Sequence, residues 1–119
     1  MKKILIVEDS SLMVAVIRNF IKKEGKEVEI MEAHTGEEGV KSYKENKPDL
    51  VFMDIKMPGM DGITALETIK KEDSGAKVVM CTSLKEPEQE QRAKDAGCVG
   101  YIMKPFNRQD IVDAMNKFL

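Results

Sequence analysis

Short apolar runs alternate with longer amphipathic segments five times along the 119 residues, and this alternation constrains the fold more than any other feature. Such an alternation is typical of a parallel β-sheet whose strands are joined by crossover helices. The predicted strands are residues 3–7, 28–33, 50–53, 77–81 and 101–103. The first, third and fourth runs are almost continuously apolar, as expected for strands covered by helices on both faces. The sequence therefore predicts an α/β fold with a doubly wound sheet.

The segments between these strands have sequence patterns typical of helices. The first helix is predicted over residues 11–23, followed by Gly25 as a stop signal. Its apolar residues recur at helical spacing and predict one buried stripe: Met13, Val16, Ile17 and Phe20. Three later helices have a residue suited to the N-cap: Thr35, Asp61 and Asn107. The second helix has to end before Pro48, because proline cannot continue a helix.

The fourth predicted helix, residues 87–96, differs from the others in its composition. Pro87 suits the first helical position, and the apolar content of the helix is only Ala93 and Ala96. With so little surface to bury, we expect this helix to be among the least firmly held elements of the fold.

Bulk composition limits the classes of function. A chain of 119 residues fits one domain, so we expect one domain over residues 1–119 with no output domain. The net charge of -2 provides no electrostatic basis for nucleic-acid binding. No apolar stretch approaches the roughly 20 residues that a membrane span needs. With no export signal, and with Cys81 and Cys98 too few for a disulfide framework, we expect a cytoplasmic protein.

Four of the predicted strands deliver polar groups at their carboxyl ends. These groups are Glu8, Asp9, Asp54, Thr82 and Lys104. In an open parallel sheet, ligands bind at that edge. Three carboxylates there repel one another by roughly 4 kcal/mol per pair at ~4 Å separation and an effective dielectric of about 20. Such a cluster requires a cation, and oxygen ligands favour Mg²⁺, with Mn²⁺ as an alternative.

Four motifs at these positions resemble the receiver domain of two-component response regulators. In chain order they are residues 4–10 (ILIVEDS), 49–62 (DLVFMDIKMPGMDG), 81–83 (CTS) and 100–106 (GYIMKPF). One such motif is weak evidence, but four in order at predicted strand ends are specific. The match covers essentially the whole chain, as in single-domain receivers of the chemotaxis type. The resemblance implies a flavodoxin-like sheet of five strands in the order 2-1-3-4-5, with five helices.

The resemblance also implies a reaction, in which a sensor histidine kinase transfers a phosphoryl group to Asp54. A carboxylate is able to attack phosphorus to form an acyl phosphate. By the same resemblance, Glu8, Asp9, Asp54 and the backbone carbonyl of Lys56 would hold Mg²⁺. Glu8 is one methylene longer than the aspartate that often stands there, and water can link it to the ion. Lys104 would stabilise the negative charge that develops on the phosphoryl oxygens.

Thr82 and Tyr101 resemble the switch residues of the family. The hydroxyl of Thr82 would donate to the phosphoryl oxygens, and the ring of Tyr101 would move inward as that hydroxyl withdraws. Lys56 and Leu84 match positions that flank the path of the hydrolytic water, so we expect them to modulate the lifetime of the phosphoryl group.

We therefore expect a stand-alone phosphoryl-accepting switch that catalyses only its own phosphorylation and dephosphorylation. Phosphate would shift the fourth helix, fifth strand and fifth helix, and that face would bind an unknown output protein. We expect a monomer, with dimerisation on phosphorylation as the alternative. A phosphorelay intermediate that passes phosphate to a histidine phosphotransfer domain and a degenerate docking receiver are the alternative functions.

Two other classes of protein fit the residues less well. A phosphatase of the haloacid-dehalogenase type needs a second aspartate two residues after the nucleophile, where this chain has Lys56. A flavodoxin-like cofactor binder needs a phosphate loop rich in Ser, Thr and Gly after the first strand. Glu8 and Asp9 stand there instead and would repel the phosphate.

Overall fold

The computed structural model describes residues 1–83 and 86–119 and contains a parallel sheet with helices on both faces. The strands are Lys2–Val7 (β1), Val28–Ala33 (β2), Leu50–Met53 (β3), Val78–Thr82 (β4) and Gly100–Met103 (β5). The helices are Ser11–Lys23 (α1), Gly36–Asn46 (α2), Gly62–Glu72 (α3), Pro87–Asp95 (α4) and Arg108–Phe118 (α5). The order across the sheet is β2-β1-β3-β4-β5, so the predicted fold is confirmed.

The sheet separates two hydrophobic cores. Leu5 and Val7 of β1 pack into the core beneath α2, α3 and α4. Their neighbours Ile4 and Ile6 pack into the core beneath α1 and α5. Because successive residues of a strand point to opposite faces, both sets are buried, which accounts for the unbroken apolar run of β1.

The residues of α1 that are fully buried differ in part from the stripe that the sequence predicts. Its buried residues are Val14, Ile17 and Ile21. Ile17 is buried as predicted, whereas Met13, Val16 and Phe20 are half-buried. Met13 and Phe20 pack against the same core, so the predicted stripe is confirmed in part. The physical reason is that two other segments also cover this side of α1. Residues of α5 share its core, and the ring of Phe20 contacts Phe106 of the loop before α5 edge-on, with centroids 6.5 Å apart.

The helix starts agree with the predicted caps. The side chains of Thr35, Asp61 and Asn107 each accept a hydrogen bond from the backbone three residues on. Ser10 caps α1 in the same way, which the sequence reading did not specify. α2 ends before Pro48 as predicted, with Lys47 in the left-handed conformation at its C-cap.

The low burial predicted for α4 is confirmed, because Ala93 is its one buried residue within the part of the chain that the structure describes. Over the same residues, none of the helices combines the length and apolarity needed to cross a bilayer.

Candidate functional site

Three carboxylates meet at the carboxyl edge of the sheet. Glu8 and Asp9 follow β1, and Asp54 follows β3. Backbone hydrogen bonds hold these positions in register, since the Asp54 N–H donates to the Val7 carbonyl at 3.0 Å and the Glu8 N–H donates to the Ala33 carbonyl at 3.0 Å. One oxygen from each of the three carboxylates lies within 4.8 Å of the others. The structure therefore brings together the acidic residues that the strand-end pattern selects.

Lys104 lies between the two buried members of this cluster. Glu8 is 2% exposed and Asp54 is 6% exposed, whereas Asp9 is exposed. The Lys104 Nζ donates to Glu8 Oε2 at 2.9 Å and lies 3.6 Å from Asp54 Oδ1. Because an unpaired buried charge is costly, this ammonium group offsets part of the cost of burying two carboxylates. The Lys104–Pro105 peptide that follows is cis.

Within the cluster, the ionised form of Asp54 is destabilised by its surroundings. Burial and the neighbouring Glu8 carboxylate raise the pKa of Asp54 from its ordinary value of 3.8 to about 6, and Lys104 opposes that rise. The pKa of Lys104 is raised, because its hydrogen bond with Glu8 and the charge of Asp54 outweigh burial, which alone would lower it. A further cation beside Asp54 would therefore favour its ionised form.

The ends of β4 and β5 complete the site. Thr82 is fully buried at the end of β4, and its backbone carbonyl accepts a hydrogen bond from the Lys104 N–H at 2.8 Å. Tyr101 lies in β5 opposite Met80, with its ring against the core beneath α2, α3 and α4. The Tyr101 hydroxyl is buried and has no hydrogen-bond partner among the described residues. Burial, with the charge of Glu90, raises its pKa.

Comparison with known proteins decides the family. Residues 4–116 match the sequence model of the response regulator receiver domain. This chain belongs to the response regulator receiver family. The recognition made from four strand-end motifs is thereby confirmed over nearly the whole chain.

The most similar relatives of this receiver include chemotaxis proteins. The chain is 44% identical to the chemotaxis protein CheY of Bacillus subtilis, covering 98% of this chain and 97% of that protein. It is 43% identical to CheY of Halobacterium salinarum, covering 99% and 97% respectively. A solved CheX–CheY–BeF3–Mg complex from Borrelia burgdorferi matches with a TM-score of 0.91 and 33% identity, covering 99% of this receiver and 90% of that chain. These likenesses make the chain a CheY-like receiver.

The donor set of the receiver suits a magnesium ion. Mg²⁺ takes six oxygen ligands at 2.0–2.1 Å, so ligands on opposite sides of the ion are about 4.2 Å apart. Ligands on adjacent sides are about 2.9 Å apart, and at most one of the three carboxylate pairs could lie on opposite sides. The carboxylate oxygens lie within 4.8 Å of one another, so they would move closer together around an ion. Both oxygens of Glu8 already accept hydrogen bonds, from Lys104 and from the Ser10 N–H at 3.2 Å. Direct contact from Asp9 and Asp54, with water between Glu8 and the ion, would leave both of these hydrogen bonds intact.

The modulating roles of Lys56 and Leu84 both stay predictions. Lys56 lies in the loop between β3 and α3 with an exposed side chain. Leu84 lies outside the described residues, so its role stays a prediction.

Gly62 is a site residue that the sequence reading did not assign. A Cβ at this position would lie 1.9 Å from the carbonyl oxygen of Asp54, which no real contact permits. The Gly62 N–H donates to the Ile55 carbonyl at 2.7 Å. α3 therefore begins directly against the peptide of Asp54, and only glycine allows that approach. The available signal was the Asp61-Gly62 pair, where an N-cap is followed by a residue with poor helix propensity.

Proposed function

We propose that this receiver accepts a phosphoryl group on Asp54 from a histidine kinase, with Mg²⁺ bound, and thereby changes its partner-binding face. The observation that carries the proposal is the environment of Asp54, which is 6% exposed and lies 3.6 Å from the Lys104 ammonium. Two further carboxylates adjoin it. A structural aspartate would not be surrounded by like charges, because each additional carboxylate opposes its ionisation.

The proposed reaction forms one bond and breaks another. An oxygen of the Asp54 carboxylate attacks phosphorus, while the bond from phosphorus to the donor's histidine nitrogen breaks. With a pKa of about 6, Asp54 is mainly ionised at neutral pH and is able to attack. Lys104 is placed to donate to a phosphoryl oxygen without a large rearrangement, because its Nζ already lies beside Asp54 Oδ1.

Asp9, Asp54 and the carbonyl of Lys56 would hold the magnesium ion, and Glu8 would contact it through water. When bound, Mg²⁺ supplies positive charge to the phosphoryl oxygens during transfer. Glu8 would also position Lys104, since it accepts a hydrogen bond from the Lys104 ammonium beside the carboxylate cluster.

We infer that Thr82 and Tyr101 transmit phosphorylation to the output face. The backbone link between Thr82 and Lys104 couples the end of β4 to the start of the loop after β5. The Tyr101 hydroxyl is buried and has no hydrogen-bond partner among the described residues, so a change of rotamer would break no hydrogen bond shown for it there. α4 buries only Ala93 within the described chain, so a shift of α4 costs little packing energy. This face would bind a protein partner, as the Borrelia burgdorferi CheY is found with CheX.

The CheY relatives favour a chemotaxis-type switch over a phosphorelay intermediate. A degenerate docking receiver is disfavoured because every reactive position is filled. Cytoplasmic location and a monomer that dimerises only when phosphorylated stay predictions.

Mass measurement after incubation with acetyl phosphate and Mg²⁺ tests the proposal. We expect wild type to gain one phosphoryl mass and Asp54→Asn to gain none. Asp61→Asn is the matched control, since it makes the same change in the same loop and asparagine still caps α3. It should be phosphorylated like wild type. An unmodified wild type, or a modified Asp54→Asn, would contradict the proposal.

A further inference from the structure

The N-terminus of α2 lies against the loop that follows Asp54. Gly36, the first residue of α2, is buried, and a Cβ at that position would lie 2.6 Å from the Met60 carbonyl oxygen. The same Cβ would lie 3.1 Å from the Cβ and Cγ atoms of Met60. Real Cβ atoms do not approach a backbone oxygen this closely, so the contact exists only because residue 36 has no side chain.

A second pair of residues extends this contact along the loop. A Cβ at Gly59 would lie 3.2 Å from Glu37 Oε2, and the φ angle of Gly59 is +76°. Two consecutive residues of α2 therefore lie along two consecutive residues of the loop.

α2 is the more firmly held of the two partners. A Cβ at Gly39 would lie 2.9 Å from both γ carbons of Val7, so the helix lies directly on β1. Tyr43 is 4% exposed and donates to Asp73 Oδ2 at 2.8 Å, which ties α2 to the end of α3. Pro58 and Gly59 of the loop are exposed. A methyl group added at residue 36 would thus displace the loop, not the helix.

We propose that Gly36 is a positioning residue for the metal-binding loop. It allows α2 to hold Met60, while Gly62 holds the other end of the segment against Asp54. Lys56 lies between these two contacts. Its carbonyl is a magnesium ligand in the proposed function, and the inference rests on that proposed function. Displacement at Met60 is passed back along a short, doubly anchored segment to that carbonyl.

Substitution Gly36→Ala tests the inference through magnesium affinity, measured by isothermal titration calorimetry. We expect affinity to fall about tenfold, at the lower end of the range for residues that orient metal ligands. In ¹⁵N NMR spectra without metal, the amide signals of Lys56 and Met57 should also move.

Gly75→Ala is the matched control. Its Cβ would meet only Asp73 Oδ1, at 3.4 Å, in the loop between α3 and β4. Both the magnesium affinity and the amide signals of Lys56 and Met57 should equal those of wild type.

Unchanged affinity and unchanged Lys56 and Met57 signals in folded Gly36→Ala would overturn the inference. If that variant does not fold, Met60→Ala replaces it, because it removes the side-chain part of the contact without a clash. A smaller loss of affinity is then expected, and no loss overturns the inference. If wild type itself does not bind Mg²⁺, the proposed function fails, and the metal-free amide signals still decide whether Gly36 positions the loop.

Discussion

The two ends of the sheet use aspartate in opposite ways. At the amino end, Asp73 accepts hydrogen bonds from the Tyr43 hydroxyl at 2.8 Å and the Gly75 N–H at 3.0 Å. These bonds lower the pKa of Asp73. At the carboxyl end, burial and like charge raise the pKa of Asp54 to about 6. Hydrogen-bond donors stabilise the ionised form of a carboxylate, whereas burial and neighbouring carboxylates destabilise it, so the charge of Asp54 would be stabilised by a nearby cation.

The backbone shows the same contrast between the two ends. Alanine at Gly62 would place a carbon 1.9 Å from the Asp54 carbonyl, whereas alanine at Gly75 meets nothing closer than 3.4 Å. We expect Gly62→Ala to lower the free energy of unfolding by about 3 kcal/mol through overpacking. Gly75→Ala should change it by less than about 0.5 kcal/mol. Urea unfolding of both variants measures this difference, and equal losses would remove the contrast.

Removing the charge of Asp54 should stabilise the metal-free protein. The folded pKa of about 6 exceeds the ordinary value of 3.8, so the folded state binds the proton more tightly. Wild type therefore loses stability as pH rises between these values, and Asp54→Asn does not. We expect Asp54→Asn to be more stable by about 3 kcal/mol at pH 7.5, with the difference vanishing below pH 4.

Urea unfolding of Asp54→Asn and wild type across this pH range tests the prediction. A destabilised Asp54→Asn at pH 7.5 would show that Asp54 is a structural residue like Asp73.

Magnesium should restore the stability that the folded protein loses when Asp54 is ionised, and it should do so only through the carboxyl edge of the sheet. A ligand that binds the folded state at ten times its Kd stabilises it by about 1.4 kcal/mol. We expect this gain in wild type and in Asp73→Asn, and a much smaller gain in Asp54→Asn. Thermal unfolding with and without Mg²⁺ provides the measurement, and equal gains in all three proteins would place the ion elsewhere.

Tyr43→Phe should have the smallest effect. It removes one donor from Asp73 and no buried volume, so the free energy of unfolding should fall by about 1 kcal/mol. The pKa of Asp73 should rise toward its ordinary value, because the Tyr43 hydrogen bond is the largest cause of its lowering. A pH titration followed by NMR measures this change. Asp54 should titrate as in wild type, since the two groups lie at opposite ends of the sheet.

Much of the fold could be predicted because its signals are local. Apolar runs, N-cap residues and prolines act within a few residues, and the predicted and observed strand bounds differ by at most one residue. The meeting of Glu8, Asp9 and Asp54 also follows from the pattern, because parallel strands present their carboxyl ends at one edge. The most buried face of α1 lies beside the predicted one, because the apolar residues of α1 fit more than one helical stripe. Packing against the sheet and α5 decides which of these residues are fully buried.

The sequence by itself determined the order of elements, the family and the polar side chains that meet at the carboxyl edge of the sheet. Only the tertiary structure decided which carboxylate Lys104 contacts, how far Asp54 is buried, and why residues 36 and 62 carry no side chain. The physical reason is the distance along the chain over which each kind of interaction acts. Helix and strand signals depend on neighbours in the chain, but a pKa or a close backbone approach depends on atoms brought within a few ångströms from distant segments.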